Sequence, residues 1–264
     1  MYLLIDWGNT RLKFLLIKEL SEFADQQQSI ESDTATSAKD LVMQLEQYGN
    51  KESIVKVLIA SVRNDKDNQE LATELNQIGL TLFIAKTSPY ACGVECAYQN
   101  PQKLGIDRWL AMIAGYQTTN READQTVGIL DIGSAITLDI IDPEGRHLGG
   151  HILPGNRLLS ESLLNTANVR IDHNLPASKG FELGRSTVDC VNFGVEQMII
   201  GYLIRAMTAS NLKYKVNQWI ITGGGSDHWI ELLQNSELFS QDINMQHSLT
   251  LVFQGLAKLY LQEE

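Results

Sequence analysis

Two short stretches, far apart in the chain, share one design. Leu3-Leu4-Ile5-Asp6-Trp7-Gly8-Asn9-Thr10-Arg11-Leu12-Lys13 lies at the start, and Gly128-Ile129-Leu130-Asp131-Ile132-Gly133-Ser134-Ala135-Ile136-Thr137-Leu138-Asp139 near the middle. Each is an apolar strand ending in Asp, then a glycine turn with small hydroxyl or amide residues, then a second apolar run. A glycine turn lets backbone N–H groups approach a phosphate closely. An Asp at a strand end can hold a hydrated Mg²⁺ that bridges phosphates. Taken singly, each stretch is also what an ordinary hairpin looks like. Two of them, one at the start of each half of 264 residues, point to a duplicated fold that grips phosphates from both sides.

The rest of the chain reads as strands, helices, strands and helices, given twice, which predicts an α/β architecture with two related halves. In the first half, strands are expected at Leu3–Ile5, Leu12–Ile17, Ile54–Ala60 and Leu80–Ile84. Helical spacing of apolar residues covers Ala38–Tyr48 and Asn68–Ile78, and a further helix opens at Gly105. Ser21–Ser37 is polar and reads as a loop or variable strand region. In the second half, Val127–Asp131, Thr137–Ile141, Arg146–Ile152 and Gln218–Thr222 read as strands. Leu158–Leu164, Ser186–Ser210 and Leu249–Gln262 read as helices. The polar run Gln117–Glu122 marks the boundary, giving domains 1–117 and 118–264.

The net charge of −11 argues against broad binding to nucleic acid or anionic lipid. It leaves ATP open, because phosphate sites can be built from backbone N–H groups, a few cations and a metal. Cys92, Cys96 and Cys190 fit a reducing cytoplasm. Cys92 and Cys96 lack a matching Cys/His pair nearby, and His147, His151, His173, His228 and His247 are scattered. No apolar run approaches the roughly 20 residues of a membrane span. The first residues read as a strand, not a signal peptide.

Leu104-Gly105-Ile106-Asp107-Arg108-Trp109 is the best candidate for chemistry. Asp107 can accept a proton from a substrate hydroxyl while Arg108 holds an anionic group; the same pair also suits a helix cap with a surface charge. Thr222-Gly223-Gly224-Gly225-Ser226-Asp227 follows a strand, and its glycines suit either a flat surface for a nucleoside or a flexible turn. No Walker sequence and no GxGxxG after a strand is present, so P-loop and dinucleotide-binding readings lose support.

With these residues assembled, the chain resembles the type III pantothenate kinases, which start coenzyme A synthesis in many bacteria. The resemblance rests on five motifs in the family's order: Asp6–Thr10, Leu104–Trp109, Asp131–Ala135, Gly149–Gly155 and Gly184–Thr187. It implies the fold of acetate and sugar kinases, heat-shock chaperones and actin: two duplicated ribonuclease-H-like domains with a cleft between them. It also implies roles for single residues. Asp6, Trp7, Gly8, Asn9, Thr10, Arg11, Leu12 and Lys13 look like the ATP phosphate loop, with Ser134 contacting ATP from the second half. Asp131 looks like the ligand of an activating K⁺ or NH₄⁺, and Asp6 is expected to hold Mg²⁺ through water. Asp107 matches the catalytic base. Tyr98, Gly105, Ile106, Asp107 and Arg108 match the pantothenate pocket, and Thr187 a substrate contact made across a homodimer interface. Trp7 is bulkier than the residue many members carry, and Ser134 replaces the commoner Thr while keeping its hydroxyl.

The expected activity is therefore transfer of the ATP γ-phosphate to the 4′-hydroxyl of pantothenate, in the cytoplasm, by a homodimer using ATP, Mg²⁺ and a monovalent cation. Rival readings are a kinase for another small alcohol such as a sugar, a non-catalytic nucleotide-binding protein, and a filament- or chaperone-like ATPase. Fold by itself does not separate the first of these from pantothenate.

Overall fold

A computed structural model describes residues 1–26, 30–48, 53–118, 125–166, 180–240 and 243–264. In chain order the elements begin β1 (Tyr2–Trp7), β2 (Leu12–Ile17), α1 (Leu20–Asp25), β3 (Asp33–Ala35), α2 (Ala38–Gln47), β4 (Lys56–Ser61), α3 (Asp65–Gln77) and β5 (Leu82–Ile84). A small hairpin, β6 (Tyr90–Ala91) and β7 (Val94–Glu95), precedes α4 (Ile106–Thr118). Then come β8 (Thr126–Ile132), β9 (Ala135–Ile141), β10 (His147–Pro154), α5 (Asn156–Thr166) and α6 (Thr187–Tyr214). The chain continues through β11 (Val216–Thr222), α7 (Ser226–Gln234), β12 (Asn244–His247) and α8 (Leu251–Glu263).

The chain forms two compact units. One holds Met1–Ala123, Pro143–Gly149 and Ser248–Glu264; the other holds Asp124–Asp142 and Gly150–His247. Among the described residues, each unit has one five-stranded sheet, ordered β3-β2-β1-β4-β5 in the first and β10-β9-β8-β11-β12 in the second. Both orders are third, second, first, fourth, fifth. The first two strands of each are antiparallel, and the first, fourth and fifth are parallel. The duplication read from the two hairpins is thus a duplication of sheet topology, as expected of two ribonuclease-H-like domains.

In the first unit β1 has neighbours on both edges, and Leu3, Leu4 and Ile5 are wholly buried. That is why its sequence is a continuous apolar run and not an alternating one. Leu3, Ile5, Phe14, Val57 and Ile59 pack with Leu41 and Leu45 of α2 and Leu71 and Leu75 of α3. Ser37 and Asn64 cap those helices by accepting the N–H groups of Asp40 and Asp67. The run Ser21–Ser37, which reads as loop or variable strand, contains part of α1 and all of β3.

Helix α8 packs along α4. A Cβ on Gly255 would overlap the Leu110 carbonyl, so the glycine lets the two backbones meet. Both helices are apolar on nearly every side, and each is the burial partner the other needs. The segment 248–264, which a single cut at 117/118 gives to the second half, therefore belongs to the first unit. Most of the polar run Gln117–Glu122 lies outside the described residues.

In the second unit β8 is the central strand. Gly128 faces Trp219 of β11, where a Cβ would come within 2.5 Å of the indole ring. Trp219 is wholly buried there, with Leu130, Leu138, Leu203 and Met207 in the same cluster. The 28-residue α6 begins where Ser186 accepts the N–H of Asp189.

Candidate active site

The first unit places Asp6 at the end of β1, directly across from Lys13 on β2. Four residues, Gly8 to Arg11, join the strands, and Gly8 N–H closes the loop on the Arg11 carbonyl at 3.0 Å. Asn9, Thr10 and Arg11 are exposed, while Asp6 and Lys13 are half-buried. Burial pushes the Asp6 carboxyl up to about 6; Lys13 pulls it down, and the negative charge of Asp107 pushes it up again. Residues at positions 6, 13 and 107 thus share one electrostatic field.

Asp107 sits in the first turn of α4, where a negative charge is favoured by the helix dipole. Its Oδ1 accepts the Arg108 N–H at 2.8 Å, and the carboxylate folds back over Gly105. The approach to the helix is fixed by Thr87 Oγ1, which donates to the Leu104 carbonyl at 3.0 Å. Arg108 is not a surface charge: it is only 6% exposed. Its Nη1 donates to the Tyr98 hydroxyl at 2.9 Å, and its guanidinium carbon lies 5.8 Å from that ring's centre. The His147 ring stacks with Tyr98 at 6.3 Å between centroids and 16° between planes. Tyr98, Gly105, Ile106, Asp107 and Arg108 are therefore brought together in one unit, with Thr87 and His147 as supports that no local motif marks.

The second unit builds its turn more tightly. Only Gly133 and Ser134 join β8 to β9, with Gly133 N–H on the Ala135 carbonyl at 3.0 Å. Asp131 lies opposite Thr137. Two other segments close on this turn. Gly155, after β10, donates its N–H to the Ser134 carbonyl at 3.0 Å, and a Cβ there would overlap the Gly133 carbonyl. Gly223, at φ +101°, lies against the Ile132 carbonyl, and a Cβ on it would come 2.6 Å from Asp131 Oδ1. Ser226 Oγ donates to the Gly223 carbonyl at 2.6 Å and meets His247 Nε2 at 2.7 Å. The glycine run that reads as either nucleoside surface or flexible turn is thus a fastened support for the Asp131 strand end.

Thr187 is exposed and opens α6. It lines a depression of about 930 Å³ with Leu159, Leu163, Cys190, Val191 and Met198. Among the described residues no three His, Cys, Asp or Glu side chains converge as a metal cage, and Cys92, Cys96 and Cys190 are free thiols. No helix among them is long and apolar enough to cross a membrane.

Comparison with known proteins adds to this geometry. Residues 2–209 match the family described as type III pantothenate kinase. The type III pantothenate kinase of Chromohalobacter salexigens is 44% identical over 143 residues, 54% of this chain and 48% of its own. That of Cellvibrio japonicus is 34% identical over 237 residues, covering 86% of this chain and 87% of its own. The solved structure of an inorganic polyphosphate/ATP-glucomannokinase from Arthrobacter sp. strain KM covers 99% of this chain and 100% of its own, with a TM-score of 0.51 and 12% identity. At that identity the likeness is one of fold.

Proposed function

The chain belongs to the type III pantothenate kinase family, and on that premise we propose that it phosphorylates pantothenate with ATP, the first step of coenzyme A biosynthesis, with Asp107 as the base. The observation that carries the assignment is the carboxylate of Asp107, held at a helix start in the field of Asp6. Asp107 takes the proton of the pantothenate 4′-hydroxyl as its oxygen bonds to the γ-phosphorus. The bond from that phosphorus to the bridging oxygen breaks, and ADP leaves. Positioning and electrostatics supply most of the acceleration in such transfers. Buried Arg108 donates to the Tyr98 hydroxyl, and the two form the polar wall of the pantothenate pocket.

The loop Gly8–Arg11 and Lys13 hold the ATP phosphates, and the Ser134 hydroxyl is a further candidate contact for ATP. Asp6 and Asp107, two half-buried carboxylates with Lys13 as counter-charge, suit a hydrated Mg²⁺ held at Asp6. When bound, Mg²⁺ neutralises charge on the transferring phosphate. Asp131 and the Ile132 carbonyl crowd around Gly223 and offer the hard oxygen donors that K⁺ or NH₄⁺ prefers.

The protein works as a homodimer in the cytoplasm. Exposed Leu158, Leu163 and Met198 border the Thr187 depression or lie next to its lining residues, and Phe181 and Leu183 are each 79% exposed just ahead of it in sequence. An apolar face of this kind fits a second copy of the chain.

A coupled assay with ATP, Mg²⁺ and pantothenate, with and without K⁺, tests the reading. Phosphopantothenate is expected only when both ATP and Mg²⁺ are present, with K⁺ raising the rate. Turnover of sugars in preference to pantothenate, or no product under any cation condition, overturns it.

A further inference from the structure

The segment after the fourth strand of each sheet fastens the hairpin made by the first two. In the second unit Gly225 N–H reaches the Ile132 carbonyl at 3.4 Å. In the first unit Val62 N–H donates to the Trp7 carbonyl at 3.1 Å. Counted from the paired strand ends, Arg63 stands where the second sheet has Gly225. Its Nη1 donates to the Asn9 carbonyl at 3.1 Å, across 54 residues of sequence. Its guanidinium carbon lies 5.7 Å from the centre of the Trp7 ring. Nε donates to Asp67 Oδ2 at 2.7 Å, and Nη2 lies 2.6 Å from the same oxygen. Asp67 is itself fixed in the first turn of α3, where its N–H is capped by Asn64. Arg63, Asn9, Thr10 and Arg11 line one cavity of about 310 Å³.

Asn9, Thr10 and Arg11 are exposed, and ordering each residue of such a loop costs about 1–2 kcal/mol of backbone entropy. A planar guanidinium that sits over an aromatic ring and is anchored through two N–H groups on one carboxylate oxygen is pre-organised to add hold at little further cost in entropy. Because Asp67 offsets its charge, Arg63 presents a weak field to a phosphate; what it presents strongly is a donor to the Asn9 carbonyl. The bulk of Trp7 is also accounted for, as the platform on which that guanidinium rests.

We infer that Arg63 is a positioning residue for ATP, holding the Gly8–Arg11 loop in its phosphate-binding shape through the Asn9 carbonyl. This rests on the reading of that loop as the ATP phosphate loop. The test is steady-state kinetics on the full chain for Arg63→Ala, Arg63→Gln, Arg63→Lys and Lys13→Ala, with KM measured separately for ATP and pantothenate. Loss of one charge-assisted hydrogen bond predicts that Arg63→Ala raises KM for ATP about tenfold and leaves KM for pantothenate within about twofold. Arg63→Gln, which keeps a neutral donor, recovers part of the loss. Full recovery with Lys and none with Gln makes Arg63 a direct phosphate cation and overturns the inference. So does an unchanged KM for ATP in Arg63→Ala while Lys13→Ala raises it. If neither variant moves KM for ATP, the loop reading itself falls, and this inference with it. Should Arg63→Ala fail to fold, Asp67→Asn keeps the guanidinium but unfastens it. A rise in KM for ATP alone then supports the role, and no rise overturns it.

Discussion

The Asp107 carboxylate lies so far back over Gly105 that a Cβ on residue 105 would stand 2.5 Å from Oδ1. The glycine is therefore part of how the base is aimed. Gly105→Ala is expected to swing the carboxylate away and lower kcat by about a hundredfold, the scale of a 1 Å misplacement. Circular dichroism and KM for ATP should stay near the parent. Asp107→Asn keeps the shape and removes the proton acceptor, so kcat should fall by roughly 10²–10⁴ with little change in pantothenate binding. Near-normal turnover in Asp107→Asn removes that residue from the base role.

Asp6 carries a pH signature. Its carboxyl is raised from 3.8 to about 6 by burial, against Lys13 and together with Asp107. Between those two values the folded chain binds more protons at this site than the unfolded chain. Its contribution to stability therefore declines as pH rises through that window and is level above it, by about 3 kcal/mol in all. Urea melts of the parent and Asp6→Asn across pH 4.5–8 should diverge up to about pH 6, with the variant gaining in relative stability. Parallel curves mean that burial does not raise this group. The same variant should lose Mg²⁺-dependent turnover.

Gly223 is held at φ +101° against the Ile132 carbonyl. Gly223→Ala meets both the backbone strain and the overlap, so a loss of about 2–3 kcal/mol in thermal or urea unfolding is expected. The surviving folded protein should show weakened K⁺ activation, since the added methyl points at Asp131. K⁺ titrations of activity that superimpose on the parent's would separate Gly223 from the cation site.

Tyr98→Phe removes the hydroxyl that accepts from Arg108 while keeping the ring that stacks with His147. A buried guanidinium that loses an acceptor costs about 1–3 kcal/mol. Stability should fall by that order, and KM for pantothenate should rise several-fold more than KM for ATP. An equal rise in both places Tyr98 outside the pantothenate pocket.

The apolar depression at Thr187 predicts a dimer that charge can split. Leu163→Asp, at a position 53% exposed in the chain by itself, should elute as a monomer in size-exclusion chromatography and lose pantothenate turnover. A monomeric parent protein with full activity excludes a role for a second copy.

Much of this chain was legible before its structure. The two hairpins could be read because an apolar run ending at Asp and Gly is a local signal, complete within about a dozen residues. Asp107 could be placed at a helix start for the same reason, and the order of motifs carried the family. The tertiary structure alone decided the sheet orders, the pairing of α8 with α4, and the burial of Arg108 against Tyr98. It alone brought Gly155 and Gly223 onto the turn at Asp131, and Arg63 onto Asn9. The division has a physical cause. Periodicity and turn chemistry act between neighbours in sequence. A glycine that yields to another segment's carbonyl, or an arginine that grips one 54 residues away, leaves no period in its own surroundings. Its reason for being there exists only once the chain has folded.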